Sequence, residues 1–317
     1  MRLSKKLNLI IPMAGKGERF KKENYIDFKP FIKINNKFMF EYVTEKFPLE
    51  VKIWVITCKL LINENQKKYL KQKNIEVIYI KSHKLGPAYS IYKASHKLPL
   101  DERFFVSYCD IDWSWDFSKI SKKLNSDGIV FTHKGFHPHK LINNFSAYCK
   151  TQKNILLKIK EKESFTQNWL DEHLSIGVFY FKSGNQMISG ITSLIKKNIR
   201  VSKEDFPSLI FNELIKKEKK ILIEKLEYYI HWGVPEQLED YIGWSKKIKK
   251  IKENKIDQKD NNEVVICMGG KSTRMQNLKK GYKAFINVLN LPMFKFVANF
   301  FPHKKKSIIL TKDLYRI

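Results

Sequence analysis

The stretch "LNLIIPMAGKGERFKKENYIDFKPFIKI", residues 7–34, decides the fold. Leu7 to Pro12 are apolar except for Asn8, and the run ends at a turn that carries Gly15 and Gly17. An apolar run this short, closed by glycine, reads as a buried strand. Glycines placed directly after such a strand let backbone N–H groups come close to an anionic ligand. The spacing is neither the complete Gly-x-Gly-x-x-Gly of dinucleotide folds nor the Gly-Lys-Ser/Thr ending of a P-loop. Instead Arg19 follows the turn, and Lys29-Pro30 arrives further on. Two cations, one on the loop and one downstream, suit a triphosphate that gives up pyrophosphate.

Outward from this segment, strand-like runs alternate with helical ones. "VKIWVIT" (51–57), "IEVIYI" (75–80), "RFFVSYC" (103–109) and "GIVFTH" (128–133) are the strands, with helices expected over 39–46, 64–73, 87–97 and 117–124. Such alternation predicts an α/β fold, a Rossmann-like three-layer αβα sandwich around a mixed, mostly parallel sheet. The second half is less regular. "FSAYCKT" and "ILLKIKEK" alternate like a hairpin and "LSIGVFYFKSG" is a further strand. Helices are expected over 185–197 and 204–217, then a strand near 221–230 and a helix over 235–248.

Bulk properties set limits. The 317 residues are 43% hydrophobic and 13% aromatic, enough for a real core. No run reaches the roughly 20 apolar residues that a membrane span needs. The basic, then apolar N-terminus lacks a cleavage site, so residues 7–12 read as the first strand of a cytoplasmic protein. The net charge of +28 comes almost wholly from lysine, with arginine only at 2, 19, 103, 200, 274 and 316. Nucleic-acid readers favour the bidentate fork of arginine, so no nucleic-acid partner is expected. Cys58, Cys109, Cys149 and Cys267 show no paired or metal-type spacing and read as free thiols.

Polar, charged sequence follows Trp244, and residues 249–262 read as a linker between a first domain, 1–248, and a remainder, 263–317. That remainder repeats the opening. "NLIIPMAGKGERF" aligns with "EVVICMGGKSTRM", "KPFIKINNKFMFEYV" with "KAFINVLNLPMFKFV", and "FPLEVKIWVITCKLL" with "FPHKKKSIILTKDLY". Three blocks in register mark an internal repeat, with Lys271, Thr273, Arg274 and Lys283 as counterparts of the loop and its downstream lysine. It has no counterpart of the later segments and reads as the N-terminal part of a second such domain, without an active site.

With Gly15, Gly17, Arg19, Lys29 and Pro30 in this order, the chain resembles the nucleotidyltransferases of glycosyltransferase-A-like fold. These include the sugar-phosphate nucleotidylyltransferases and related cytidylyltransferases, of the nucleotide-diphospho-sugar transferase type. Glu18 departs from the Ser or Thr usual there. The resemblance covers about residues 7–245. It implies that Arg19 and Lys29 hold the phosphates, and that Met13, Ala14 and the turn Gly86-Pro87-Ala88 in "HKLGPAYSIYKA" receive the base. It further implies that Asp110 and Asp112 in "VSYCDIDW" hold Mg²⁺, and two acids one residue apart on an extended chain suit shared ligation. "HWGVPEQLEDY" (231–241) resembles the family's later helix start, with His231 where many members carry a metal-binding Asp. His137, His139, Glu161, Lys162 and Gly177 become candidates for contact with the acceptor. The two histidines lack further ligands for a zinc set.

The implied reaction passes a nucleoside monophosphate from an NTP, CTP favoured, to a small phosphorylated acceptor. A role in making surface-polysaccharide precursors is expected. A glycosyltransferase using an NDP-sugar shares the fold and an Asp-x-Asp, but a diphosphate donor has no pyrophosphate to expel. A nucleotide-binding protein without catalysis is the third reading, suggested by Glu18, His231 and the incomplete repeat.

Overall fold

The computed structural model describes residues 6–140, 146–253, 263–268, 270, 282–288, 291–301 and 304–310. The chain divides into two compact units, Met1–Gly243 and Trp244–Ile317.

In the first unit the strands are β1 (Leu7–Pro12), β2 (Lys33–Ile34), β3 (Lys37–Phe38), β4 (Lys52–Thr57), β5 (Ile75–Tyr79), β6 (Arg103–Ser107), β7 (Ile111–Trp113), β8 (Gly128–His133), β9 (Tyr148–Gln152), β10 (Ile155–Lys160), β11 (His173–Phe181), β12 (Ile221–Lys225) and β13 (Tyr229–His231). The helices are α1 (Glu18–Lys22), α2 (Met39–Thr44), α3 (Glu64–Gln72), α4 (Pro87–Ala94), α5 (Phe117–Ser121), α6 (Gly184–Lys196), α7 (Pro207–Ile215) and α8 (Pro235–Glu253). Helix α8 belongs to the first unit up to Gly243 and runs past the boundary expected at residue 248. The expected strand over 221–230 is two: β12 stays in the main sheet and β13 leaves it to pair antiparallel with β7.

The main sheet has the order β5-β4-β1-β6-β11-β8-β12-β10-β9. One half, β5-β4-β1-β6, is parallel. From β6 onward the pairing is antiparallel except for β8 with β12, and β9 folds back to meet the start of β11. The sheet is therefore mixed, and its parallel half carries the glycine turn.

Side-chain alternation explains why both faces are covered. Leu7, Leu9 and Ile11 of β1 join Val55, Phe105 and Tyr180 in one core, while Ile10 joins Trp54, Val106 and Phe179 in the other. The second core lies under α4, α6 and α7, through residues such as Ile91, Leu194 and Phe211. Asn8 is the polar exception within β1. It accepts from Trp54 Nε1 at 2.9 Å and donates to Glu102 and to the Arg103 carbonyl, so its burial is satisfied. A third cluster of Phe20, Ile32, Ile34, Met39, Trp232 and Leu238 ties α1, the β2–β3 hairpin and α8 together.

The second unit contains β14 (Val264–Cys267), β15 (Asn287–Val288), β16 (Leu291–Pro292), α9 (Met293–Asn299) and β17 (Lys306–Ile309). Its backbone reproduces the first unit's opening. Strand β14 pairs parallel with β17 as β1 does with β4, and β15 pairs antiparallel with β16 as β2 does with β3. Met268 N donates to Ile309 O at 2.8 Å, matching Met13 N to Ile56 O at 2.7 Å. Met293 N donates to Ile286 O at 3.0 Å, matching Met39 N to Ile32 O at 3.0 Å. Lys271, Thr273 and Arg274 lie outside the described residues.

Candidate active site

Strand β1 is flanked by β4 and β6, whose connections leave on opposite sides, so the carboxyl ends of β1 and β6 face a crevice. In open α/β sheets that switch point is where ligands bind. A cavity of about 560 Å³ opens there, lined by the loop from Ala14 to Phe20, by Lys29, by Gly86 and Pro87, and by Asp110 and His231.

The loop is pinned from behind. Met13 N and O are held by Ile56 and Thr57, while Gly15 has open space where a Cβ would stand. Gly17 adopts φ 64° and caps α1 through its carbonyl, which accepts from Phe20 N and Lys21 N. A Cβ there would press on Lys29 at 3.3 Å, so glycine serves both the turn and the approach of the lysine. Phe20, buried under α1, lies 4.9 Å from the Lys29 ammonium.

Lys29 Nζ donates to Asp110 Oδ2 at 2.6 Å and to Gly233 O at 3.2 Å. Asp110 is set by the end of β6 and by its own carbonyl, which accepts from Trp232 N at 2.8 Å. His231 Nε2 stands 3.9 Å from the same Asp110 oxygen. Burial by itself would raise the Asp110 pKa, but Lys29 and then His231 outweigh it and hold the carboxyl below its usual range. Burial pushes the His231 pKa down against the pull of Asp110, so the imidazole is neutral at neutral pH. Cys109 lines the cavity too, but burial raises its thiol to about 12 and leaves it no thiolate near neutrality.

Asp112 departs from the expected pairing. Its carboxylate lies 2.6 Å from Lys46 Nζ and lines neither large cavity, because β7 pairs with β13 and carries it toward α2. Among the described residues no group of three or more His, Cys, Asp or Glu could cage a metal. Met13 and Ala88 are also core residues, 2% and 0% exposed. Gly86 is required by packing as well: at φ 86° a Cβ would lie 2.8 Å from the Asp205 backbone. His83, which the sequence did not single out, latches this turn. Its Nδ1 accepts from Leu85 N at 3.1 Å and its Nε2 meets Ser90 Oγ at 3.0 Å, an arrangement that needs the neutral ring burial favours.

A second cavity of about 540 Å³ adjoins the first, and Arg19, Tyr108 and His231 line both. Glu161, Lys162 and Gly177 all line it. Ser208 donates to Glu161, whose carboxyl burial pushes up to about 7 against that hydrogen bond. Lys162 sits over the Phe206 ring and 3.8 Å from Glu204. Gly177 has φ 87° at an irregular point of β11, and a Cβ would fall 2.4 Å from the Tyr108 ring. His137 does not reach this cavity. It packs against Tyr229 with ring centroids 4.8 Å apart and lines a far smaller space. The side chain of His139 lies outside the described residues. Lys140, which sequence reasoning passed over, is buried and does line the second cavity. Its only sequence signal was a lysine inside an otherwise aromatic and histidine-rich loop.

Residues 9–153 match the family model of the MobA-like NTP transferase domain. No curated protein sequence gives a significant match. Solved structures share the fold. A nucleoside-diphosphate-sugar pyrophosphorylase from Vibrio cholerae RC9 aligns with a TM-score of 0.62 at 18% identity, over 74% of this chain and 99% of that one. The inositol-1-phosphate CTP transferase from T. maritima aligns with a TM-score of 0.56 at 16% identity, over 78% and 98%. A CMP:2-keto-3-deoxy-manno-octonic acid synthetase complexed with CTP gives 0.54 at 13% identity, over 77% and 99%. The glycine loop, Lys29 and the crevice of β1 and β6 all lie inside or beside the matched segment, so this part of the chain is similar to a MobA-like NTP transferase domain and shares the fold of these solved nucleotidyltransferases.

Proposed function

We propose that the protein transfers a nucleoside monophosphate from CTP to a small phosphorylated acceptor, such as a sugar phosphate, and releases pyrophosphate. Making precursors of surface polysaccharide in the cytoplasm is the role this reading assigns. The observation that carries it is the meeting of two cavities at Arg19, Tyr108 and His231, one lined by the glycine loop and one by Glu161 and Lys162. Two substrates in adjoining cavities can react directly, so the protein need only hold them in line. The choice of CTP rests on the "YCDIDW" and "FHPH" segments, and two of the structural neighbours are named for CTP.

In this reading the loop amides and Arg19 receive the β- and γ-phosphates, and Lys29 faces the α-phosphate where charge builds up. The base lies between Ala14 and the Gly86-Pro87 turn. A Mg²⁺ ion fits Asp110, since a hard cation bound with a nucleotide takes one or two carboxylates and completes its shell from phosphates and water. When bound, it supplies charge neutralisation for the triphosphate. Asp112, engaged by Lys46, is not required for it. The partly buried Asp110 carboxylate stays ionised, which keeps both the Lys29 contact and a ligand for the cation ready.

Pyrophosphate release, measured with each of the four NTPs against a panel of phosphorylated acceptors, tests the reading. Release is expected with CTP and one acceptor class, and is expected to stop in excess chelator. A folded protein that releases none with any pair would overturn it.

A further inference from the structure

Lys140 poses a problem that the chemistry above leaves unsolved. It is 5% exposed, yet no carboxylate lies within ion-pair distance of its ammonium among the described residues. Its side chain is largely buried and lines a cavity, and an ammonium partly withdrawn from water with no ion-pair partner favours the arrival of an anion there. Its position is firmly built. It closes the short 3-10 turn Pro138–Lys140, its N donates to His137 O at 3.0 Å, and its carbonyl accepts from Trp169 Nε1 at 2.9 Å. These contacts fix the Lys140 backbone, and the residue lines both the second cavity and the small space beside His137.

The surroundings indicate what the anion is. Asp110 lines the first cavity and Glu161 the second, and both attract the Lys140 ammonium, Asp110 the more strongly. Arg19 and Lys162 line the same cavity from other elements, but Lys162 is already drawn to Glu204 and Phe206. Burial lowers the Lys140 pKa only to about 8, so the group is charged at neutral pH. We propose that Lys140 binds the phosphate monoester of the acceptor in the second cavity. This rests on the assignment of the second cavity to the acceptor under "Proposed function", and it names the group there that receives the reacting phosphate.

Lys140→Met keeps the length of the side chain and removes the charge. The expected results are an acceptor KM raised about 30-fold or more, an NTP KM unchanged, and a melting temperature equal to or above that of the parent, since a buried charge is relieved. Exposed Lys150→Met is the control and should match the parent in all three. Binding of inorganic phosphate by isothermal titration reads the same site without turnover, so it separates this proposal from the reaction. The parent should bind phosphate about tenfold or more tightly than Lys140→Met. Equal phosphate binding by the two proteins would overturn the proposal even if the enzyme is active. A weaker phosphate affinity in the variant supports it even if no acceptor gives pyrophosphate, in which case only the reaction assignment falls. A lowered melting temperature with both KM values raised would show a structural role instead.

Discussion

Replacing Lys29 with methionine removes the cation that faces Asp110 and leaves that carboxylate buried. The charged atoms are 2.6 Å apart and their side chains are 16% and 15% exposed. Charge centres about 3 Å apart attract by roughly 5–6 kcal/mol at an effective dielectric near 20. Desolvation offsets much of that attraction in the intact pair, but removing one partner strands the other and costs about 3–5 kcal/mol. The effect carries a pH signature. In the parent the folded Asp110 pKa lies below its unfolded value, so the pair's stability is present above that value and is lost as pH falls through the folded pKa. In the variant burial is opposed only by His231 and a backbone hydrogen bond, so the Asp110 pKa rises relative to the parent and the variant loses less stability as acid protonates the carboxyl. The gap between the two proteins should be widest near pH 7 and narrower at pH 4. Urea unfolding at both pH values measures it, with pyrophosphate release as the second readout. Turnover should fall by about 100- to 1,000-fold, as when one donor to a developing charge is removed. A stability gap that does not change between pH 7 and pH 4, or turnover close to that of the parent, would refute the reasoning.

Further expectations follow from single contacts. Gly177→Ala places a Cβ 2.4 Å from the Tyr108 ring at φ 87°; backbone strain of about 1–2 kcal/mol plus displacement of a ring that lines both cavities should lower melting temperature and turnover together, and an unchanged protein would contradict this. Glu161 binds a proton in the folded state between its ordinary value near 4.5 and about 7, so parent stability falls as pH rises across that window, by at most about 3 kcal/mol. Glu161→Gln lacks that slope and should gain on the parent from pH 5 to pH 8; a constant difference in thermal unfolding would show the carboxyl is not perturbed. Asp110→Asn should abolish turnover and Asp112→Asn should keep most of it while losing stability, because Lys46 already neutralises Asp112; equal losses of turnover would restore the paired-carboxylate arrangement. We propose that the second unit takes no part in catalysis, so a chain ending at Lys249 should release pyrophosphate at the full rate, and a folded but inactive product would count against this.

What could be read from the sequence was whatever local pattern dictates. The strand before the glycine turn, the need for glycine at 17, and the arrival of Lys29 on the next segment all follow from short-range sterics and apolar runs. The hairpin of β9 and β10 was equally legible from alternation. Long-range pairing was not. Asp112 is two residues from Asp110, and an extended chain suggested a shared ligand site. The antiparallel match of Ile230 with Asp112 turns that carboxylate to Lys46 instead. The end of the first unit was blurred for a related reason: lysine-rich sequence after Trp244 reads as a solvated tail, yet α8 continues through it to Glu253. Lys140 stayed invisible because a lysine in a loop is ordinarily solvated, whereas the fold buries this one and Trp169 holds its carbonyl.

The repeat separates these two kinds of information within one chain. Both units make the same strand pairing, the same hairpin, and the same hydrogen bonds from the methionine before the loop and the methionine opening the helix. A segment of this length therefore encodes the loop's frame by itself, and Lys283 stands where Lys29 does. Frame and cation do not make the site. The partner of Lys29 is Asp110, 81 residues away, and its carbonyl contact is Gly233, 204 residues away. Asp110 reaches the loop only because β6 lies along the free side of β1, and among the described residues β14 pairs with β17 alone. Among the described residues the second unit shows no counterpart of the element that positions the carboxylate, of the base-side turn or of the histidine. The strand pair and hairpin that frame the loop recur in a few dozen contiguous residues, while the contacts of Lys29 need strands and turns brought together from across the first unit.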